Sequence, residues 1–173
     1  KEGFVTSVLE VGKPKESGGK SLAYEDESGF SFQYPSTLGI IEKEVNDPTV
    51  YSSLELSSKD HPGEKLVVKI TDTSLATIDK WLKENLQTGN LANSAEIILG
   101  GMSGKNFEYT NPSRSLILVI DNGILYRLEA PEDGSFWTQA LKMVSETFQL
   151  TGGTKTSNGG GGSVVDEGEE TVE

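Results

Sequence analysis

One stretch constrains this chain more than any other: "RSLILVIDNGILYRLEA", Arg114 to Ala130. Asn122-Gly123 is the preferred pair for a two-residue type I′ turn, because both positions need positive φ. The strands on either side are therefore antiparallel neighbours. A strand with one wet face alternates apolar and polar residues. Ser115 to Ile120 does not alternate; it is a nearly unbroken apolar run and reads as a strand covered on both faces. Tyr126 and Leu128 carry the pattern on beyond the turn.

Other segments do alternate. In "ESGFSFQYPS", Phe30, Phe32 and Tyr34 fall on one face and Ser31 and Gln33 on the other. Pro35 has no N–H to give to a ladder and ends the strand. "LAYEDESGFSFQYP" as a whole reads as a strand pair, or as one strand broken near Ser28-Gly29. "LGIIEKEV" follows. In "TVYSSLELSS", Val50, Leu54 and Leu56 share one side, and in "EKLVVKITD" the inward set is Leu66, Val68 and Ile70. "KDHPGE", with Pro62-Gly63, is the turn between those two strands. "SAEIILGGMSGKNFEYTN" reads as strand, glycine turn, strand.

Two segments switch to helical spacing. Leu75, Ile78, Trp81, Leu82 and Leu86 make one apolar face, with Asp79 suited to the positive end of the dipole and Gly89 a stop. Trp137, Ala140, Leu141, Val144 and Phe148 make another, capped by Asp133 or Ser135. Antiparallel strands with few helices indicate an α+β domain. The expectation is a central antiparallel sheet of about six or seven strands packed by two main helices.

The domain is expected over residues 21–150. Residues 1–20 read as an N-terminal arm and linker, with "GKPKESGGK" as the linker proper. Residues 151–173 read as a disordered, Gly-rich acidic tail. That tail holds five acids against Lys155, and "GGGGS" within it has the form of an engineered linker.

Chemistry is scarcer. The net charge is −12, which disfavours nucleic acid and anionic membrane as partners, since both need a basic face. No apolar run is long enough to span a bilayer, so no transmembrane segment is expected. The chain starts at Lys1, so a signal peptide or lipid anchor would lie upstream. With no cysteine, disulfides, thiolate metal sites and cysteine nucleophiles are excluded. The single histidine, His61, sits in the "KDHPGE" turn and reads as an exposed turn residue. Acyl transfer by a Ser-His-Asp set would have to use it, and no serine stands in a nucleophile-elbow context.

"GGMSGKN", Gly100 to Asn106, is superficially like a phosphate loop. It lacks the required first glycine, where Leu99 stands, and the Ser or Thr after Lys105, where Asn106 stands. It also leads into a strand, so a hairpin turn is the better reading. Carboxylates cluster at Glu25, Asp26 and Glu27, at Glu129, Glu132 and Asp133, and at Asp121. They read as solvated turns. Two alternatives stay open: a carboxylate-based hydrolase, which needs two acids about 5–10 Å apart in a cleft, and a weak calcium-binding module. No catalytic or cofactor-binding residue is assigned, no cofactor is expected, and metal ligands are left undetermined. The aromatics Phe30, Phe32, Tyr34, Trp81, Phe107, Tyr109, Tyr126, Trp137 and Phe148 read as core, with Tyr24 and Tyr51 unassigned.

Taken together, "GFSFQYPS", "GGMSGKNFEYT", "LILVIDNGILYRLEA" and "FWTQALKMVSETFQL" resemble the PsbP-like family of extrinsic photosystem II proteins and their secreted or lipid-anchored bacterial relatives. Gly29, Phe30, Phe32, Tyr34 and Pro35 match its Gly-Phe-x-Phe-x-Tyr-Pro opening. Tyr126 and Leu128 match its later strand, and Thr147-Phe148 stands where Ser-Phe is usual. Leu38-Gly39 stands where that family commonly has a tryptophan. The resemblance covers residues 22–150. It implies an α/β/α sandwich and an extracytoplasmic, non-enzymatic accessory or binding role, with another protein or an envelope component as the partner. It carries over no functional residue.

Overall fold

The computed structural model describes residues 15–17, 21–86 and 90–152. Among these residues eleven strands and two helices follow one another in chain order. The main body is a seven-stranded antiparallel sheet with strand order β4-β5-β6-β10-β9-β8-β7. Its strands are β4 (Gly39–Glu42), β5 (Val50–Ser57), β6 (Lys65–Asp72), β7 (Leu91–Leu99), β8 (Met102–Tyr109), β9 (Arg114–Asp121) and β10 (Ile124–Pro131). The fold is the α+β sandwich with a central antiparallel sheet that the periodicity and the resemblance led to expect.

The β9–β10 hairpin is the middle of this sheet. Asn122 and Gly123 have φ of 47° and 77°, as a type I′ turn requires. Residues 115–119 are all buried. Leu116 and Leu118 point into one core with Trp81, Leu82, Phe107 and Leu125. Ile117 and Val119 point into the other, with Phe30, Phe32, Leu54, Trp137 and Val144. The unbroken apolar run thus serves both cores of the sandwich, alternate residues to each.

Helix α1 (Ile78–Asn85) covers the first core, and its N-cap Thr77 Oγ1 accepts the Lys80 N–H at 3.3 Å. It is shorter than its apolar spacing suggested, because Leu75 precedes the cap and Leu86 is already extended. Both still pack against the same core. The expected stop, Gly89, lies outside the described residues.

Helix α2 (Phe136–Thr147) covers the other face together with a second sheet, of order β1-β2-β3-β11. Its members are β1 (Lys15–Ser17), β2 (Ser21–Asp26), β3 (Phe30–Pro35) and β11 (Gln149–Leu150). The sequence pointed to one sheet; the second arises because the chain turns twice in quick succession. Gly29, with φ 97°, closes the β2–β3 hairpin. A turn from Pro35 to Leu38, whose N–H donates to the Pro35 carbonyl at 3.0 Å, then sends the chain into the large sheet. Lys15–Ser17, expected within the linker, pair with β2. The remainder of the expected arm, and the tail from residue 153, lie outside the described residues.

Phe30, Phe32 and Tyr34 are buried on one face of β3. Phe30 stacks on Phe148 at 5.4 Å, and Tyr24 lies 5.4 Å from Phe32. Each buried ring contributes about 1.5–3 kcal/mol. Val50 departs from expectation. A bulge between Val50 and Ser52 puts Val50 opposite Thr71 and Ser52 opposite Ile70. The inward row is therefore Ser52, Leu54 and Leu56, and Tyr51 rather than Val50 packs against the core.

Candidate functional site

Some of the clustered carboxylates are not solvated as their sequence context suggested, and Asp26 departs furthest. It ends β2, is 5% exposed, and accepts four hydrogen bonds. Its Oδ1 takes the Ser28 N–H at 2.8 Å and the Ser28 hydroxyl at 2.5 Å. Its Oδ2 takes the Tyr24 hydroxyl at 3.0 Å and the Ser52 hydroxyl at 2.9 Å. The Ser28 bonds form an Asx-type turn into Gly29. The Ser52 bond crosses from the small sheet to the large one, so this carboxylate rivets the two together. Burial, and the Asp26 charge beside it, push the Tyr24 phenol well above its ordinary range. Glu25 and Glu27 are exposed as expected.

Glu129 is the second departure. It is 8% exposed on β10, on the α1 side of the sheet. Arg114 Nε meets its Oε1 at 2.6 Å, and the Tyr109 hydroxyl donates to the same oxygen at 3.1 Å. Arg127 donates to Oε2 and lies 6.0 Å from the centre of the Trp81 ring. Burial raises this carboxyl's pKa, but the two guanidiniums outweigh it and hold the group below the usual carboxylate range. A group held ionised in this way is a poor general acid near neutral pH.

The entrance to α2 gathers three more acids. Ser135 occupies the N-cap position but makes no side-chain cap. Asp133 does the capping, its Oδ1 accepting the N–H groups of Ser135, Trp137 and Thr138 at 2.9, 3.1 and 3.2 Å. Desolvation works the other way, yet these bonds bring the Asp133 pKa down to about 2. Glu132 accepts the Ser115 hydroxyl at 2.5 Å and the Thr138 hydroxyl at 2.9 Å. Glu64, from the β5–β6 turn, accepts the Trp137 indole N–H at 2.7 Å.

His61 lies in that same turn but is not a bare turn residue. Its ring stacks on Phe136 at 4.4 Å and approaches Trp137 edge-on at 6.1 Å. Its Nδ1 is 3.8 Å from Glu64. The imidazole is thus part of the packing that holds the turn against α2.

Among the described residues no group of three or more His, Asp or Glu side chains is placed to hold a metal ion. The "GGMSGKN" segment is the β7–β8 turn, at Gly100 and Gly101 with φ 57° and 87°, followed by the start of β8 from Met102. Gly104 is needed for a different reason. A Cβ there would lie 2.5 Å from the Leu118 carbonyl oxygen and 2.4 Å from Val119.

Hollows open on the surface of the described residues, two of them bordering sites of interest. One, of about 520 Å³, lies between Ser36–Gly39 and Ser57–Asp60. The other, of about 350 Å³, is a cleft between α2 and the β7-β8-β9 side of the sheet. Ile97, Asn106, Glu108 and Ser115 form its floor, and Thr138, Lys142 and Glu146 its helical wall, with Glu132 between them. Asn106 Oδ1 is buried and, among the described residues, has no hydrogen-bond partner. This cleft is the candidate site. The sequence quoted Asn106 and Glu132 without joining them, because the two lie 26 positions apart and meet only through the sheet.

Two packed cores around an antiparallel sheet, closed on one side by a small sheet and a C-terminal helix, define a PsbP-like α+β domain. The solved structure of cyanobacterial PsbP (CyanoP) from Synechocystis sp. PCC 6803 is similar to it: 16% identity over 79% of this chain and 98% of that one, with a TM-score of 0.54. At that identity the likeness is one of fold. No protein-family model matches the chain, and no curated protein matches it significantly.

Proposed function

We propose that this chain is a non-enzymatic accessory or binding domain, working outside the cytoplasm in a secreted or membrane-anchored protein, that recognises another protein or an envelope component. The observation that carries this reading is how four of the carboxylates are used. Asp26 joins the sheets, Glu129 neutralises Arg114 and Arg127, Asp133 caps α2 and Glu64 holds Trp137. Each of these four is committed to the scaffold. The PsbP-like fold supports the same reading. The extracytoplasmic setting rests on the Gly29–Pro35 opening and its neighbours. Among the described residues no helix is long and apolar enough to cross a membrane. Residues 21–150 are the working domain in this reading, with 1–20 and 151–173 as flanking segments.

The test has two arms. The full-length protein is located by fractionating the cells that make it, and its neighbours there are trapped by photo-crosslinking from the domain surface. Recovery of one envelope or secreted protein, lost on competition with unlabelled domain, is the expected result. Turnover of a glycan or ester panel that disappears in Glu132→Gln or Glu129→Gln would overturn the proposal, as would a cytoplasmic location.

A further inference from the structure

We propose that the acidic end of the chain, Asp166 to Glu173, docks on the open half of the large sheet's α1 side, where a strip of basic side chains faces outward. The inference goes beyond the binding-domain reading, since it concerns a contact of the chain with itself.

Strand register assembles the strip. Lys69 on β6 stands opposite Arg127 on β10 and Ser53 on β5. Lys43, just past β4, donates its N–H to the Ser53 carbonyl at 2.8 Å. Arg127 is opposite Leu118, which points into the core under α1, so the whole row lies on that side of the sheet. Lys65 shares the face, 2.6 Å from Glu55. Helix α1 packs over residues of β8, β9 and β10. The β4-β5-β6 half stays open: the side chains of Lys43 and Lys65 are 49% and 46% exposed.

The charge of this face is opposite to that of the chain. Lys43, Lys65, Lys69, Arg114 and Arg127 share it with two carboxylates, Glu55 and Glu129, an excess of positive charge on a chain of net −12. Glu55 lies between Lys43 and Lys65, and Glu129 between Arg114 and Arg127. Lys69 has neither and, among the described residues, forms no ion pair. Asp47 feels its charge, but that carboxylate is engaged first by Thr49. Two cations directly opposite each other on neighbouring strands destabilise a sheet. A carboxylate laid between Lys69 and Arg127 would relieve that repulsion and add charge-assisted hydrogen bonds.

The chain supplies carboxylates within reach. Beyond Lys155 it has no base and five acids: Asp166, Glu167, Glu169, Glu170 and Glu173. Its point of departure suits them. Leu150 pairs with Phe30, Phe30 with Asp26, and Asp26 bonds Ser52, which opposes Ile70. The last strand therefore ends level with the residue next to Lys69, on the other side of the large sheet. Sheets pack about 10 Å apart and strands rise about 3.3 Å per residue, so a route round the Asp72 end is roughly 30 Å long. The stretch from Gly152 to Asp166 spans up to about 50 Å. A tether of that length holds the acids at an effective concentration of about millimolar, which favours the chain's own face over a second copy's.

The test uses the full chain. With no native cysteine, Thr171→Cys gives a unique site for a nitroxide label, and amide NMR reads which backbone positions it broadens. Broadening is expected at Lys43, Ser53, Val67 and Lys69, and not at Ser36–Gly39 or at the outer face of α2. Raising salt from about 0.1 M to about 1 M shortens the screening length from roughly 10 Å to 3 Å and should cut the effect at least threefold. Lys69→Gln should weaken it too, and replacing the five acids by their amides should abolish it. Far-ultraviolet dichroism establishes that the variants fold. Broadening spread evenly over the surface, centred elsewhere, or indifferent to salt overturns the inference. So does broadening that fades on dilution of the protein, which would mean docking between copies. The crosslinking result above is unaffected by any of these outcomes, so the two readings fail separately.

Discussion

Replacing Asp26 tests the claim that one carboxylate joins the two sheets. In Asp26→Ala the Ser28 N–H is near solvent and can turn to water. The Tyr24 hydroxyl and the Ser52 hydroxyl cannot do so easily, since their residues are 7% and 3% exposed. A buried donor left without its acceptor costs about 1–3 kcal/mol. Two of them, plus the space left by the carboxylate, give a loss of roughly 3–5 kcal/mol. For a domain of this size that is a fall in melting temperature on the order of 10–15 °C. Asp26→Asn is the informative partner. Its Oδ1 keeps the Ser28 bonds, and its Nδ2 can donate to the two hydroxyls once they rotate to accept, so the cost should be about 1 kcal/mol, the loss of charge assistance. Urea unfolding followed by the fluorescence of Trp81 and Trp137 gives both values. A double-mutant cycle of Asp26→Asn with Ser52→Ala should show coupling of about 1 kcal/mol between the sheets. The reasoning fails if Ala and Asn cost the same, or if Asp26 and Ser52 behave additively.

Gly104→Ala should destabilise by about 1–3 kcal/mol or more, measured by the same unfolding assay, because the obstacle is a backbone carbonyl that has no rotamer to escape into. All five tyrosines have pKa values raised, four of them chiefly by burial and Tyr51 by its bond to Asp72. A raised phenol favours the folded state while protonated, so stability is intact below about pH 10 and is lost as pH climbs above it. Tyrosinate absorbance should then appear together with unfolding, and a tyrosine titrating near pH 10 in the folded protein would contradict this. On the acid side the sign reverses. Asp133 has a depressed pKa of about 2, so its contribution is present above about pH 4 and fades as pH falls toward 2. Asp133→Ala should cost about 1 kcal/mol at pH 7 as a lost cap, trimmed by solvent screening at this exposed site, and next to nothing at pH 2.

How far the sequence could be read follows from which interactions are local. The β9–β10 hairpin was legible because Asn122-Gly123 dictates its turn and a double-sided strand needs an apolar run. Helix α2 was legible because Trp137 to Phe148 keep helical spacing. The Asp26-Glu27-Ser28-Gly29 turn carried a readable signal as well, an Asx turn before a glycine, though reading it as solvated missed its burial. Partition into two sheets was not legible, since it depends on where a turn after Pro35 sends the chain. The bulge at Val50 was hidden for the same reason: one extra residue in a ladder leaves no mark on hydrophobicity. Glu129 could have been suspected from Arg127 two positions earlier on the same strand face, but its second partner, Arg114, comes from across the hairpin. The cleft is less legible still, being assembled from β7, β8, β9 and α2.

The second sheet draws on both ends of the domain: β3 near its start takes β11, its last strand, as a neighbour, and the Gln33 N–H is tied to Thr147 Oγ1 at 2.8 Å. A nascent chain emerging from the ribosome therefore cannot close Phe148 over Phe30 until some 115 further residues have followed. The first hairpin made is among the last to be completed. Shortening the polypeptide by a few residues at Phe148 to Leu150 would strand that aromatic hairpin in water, and such truncations should aggregate rather than fold to a smaller version of the same molecule.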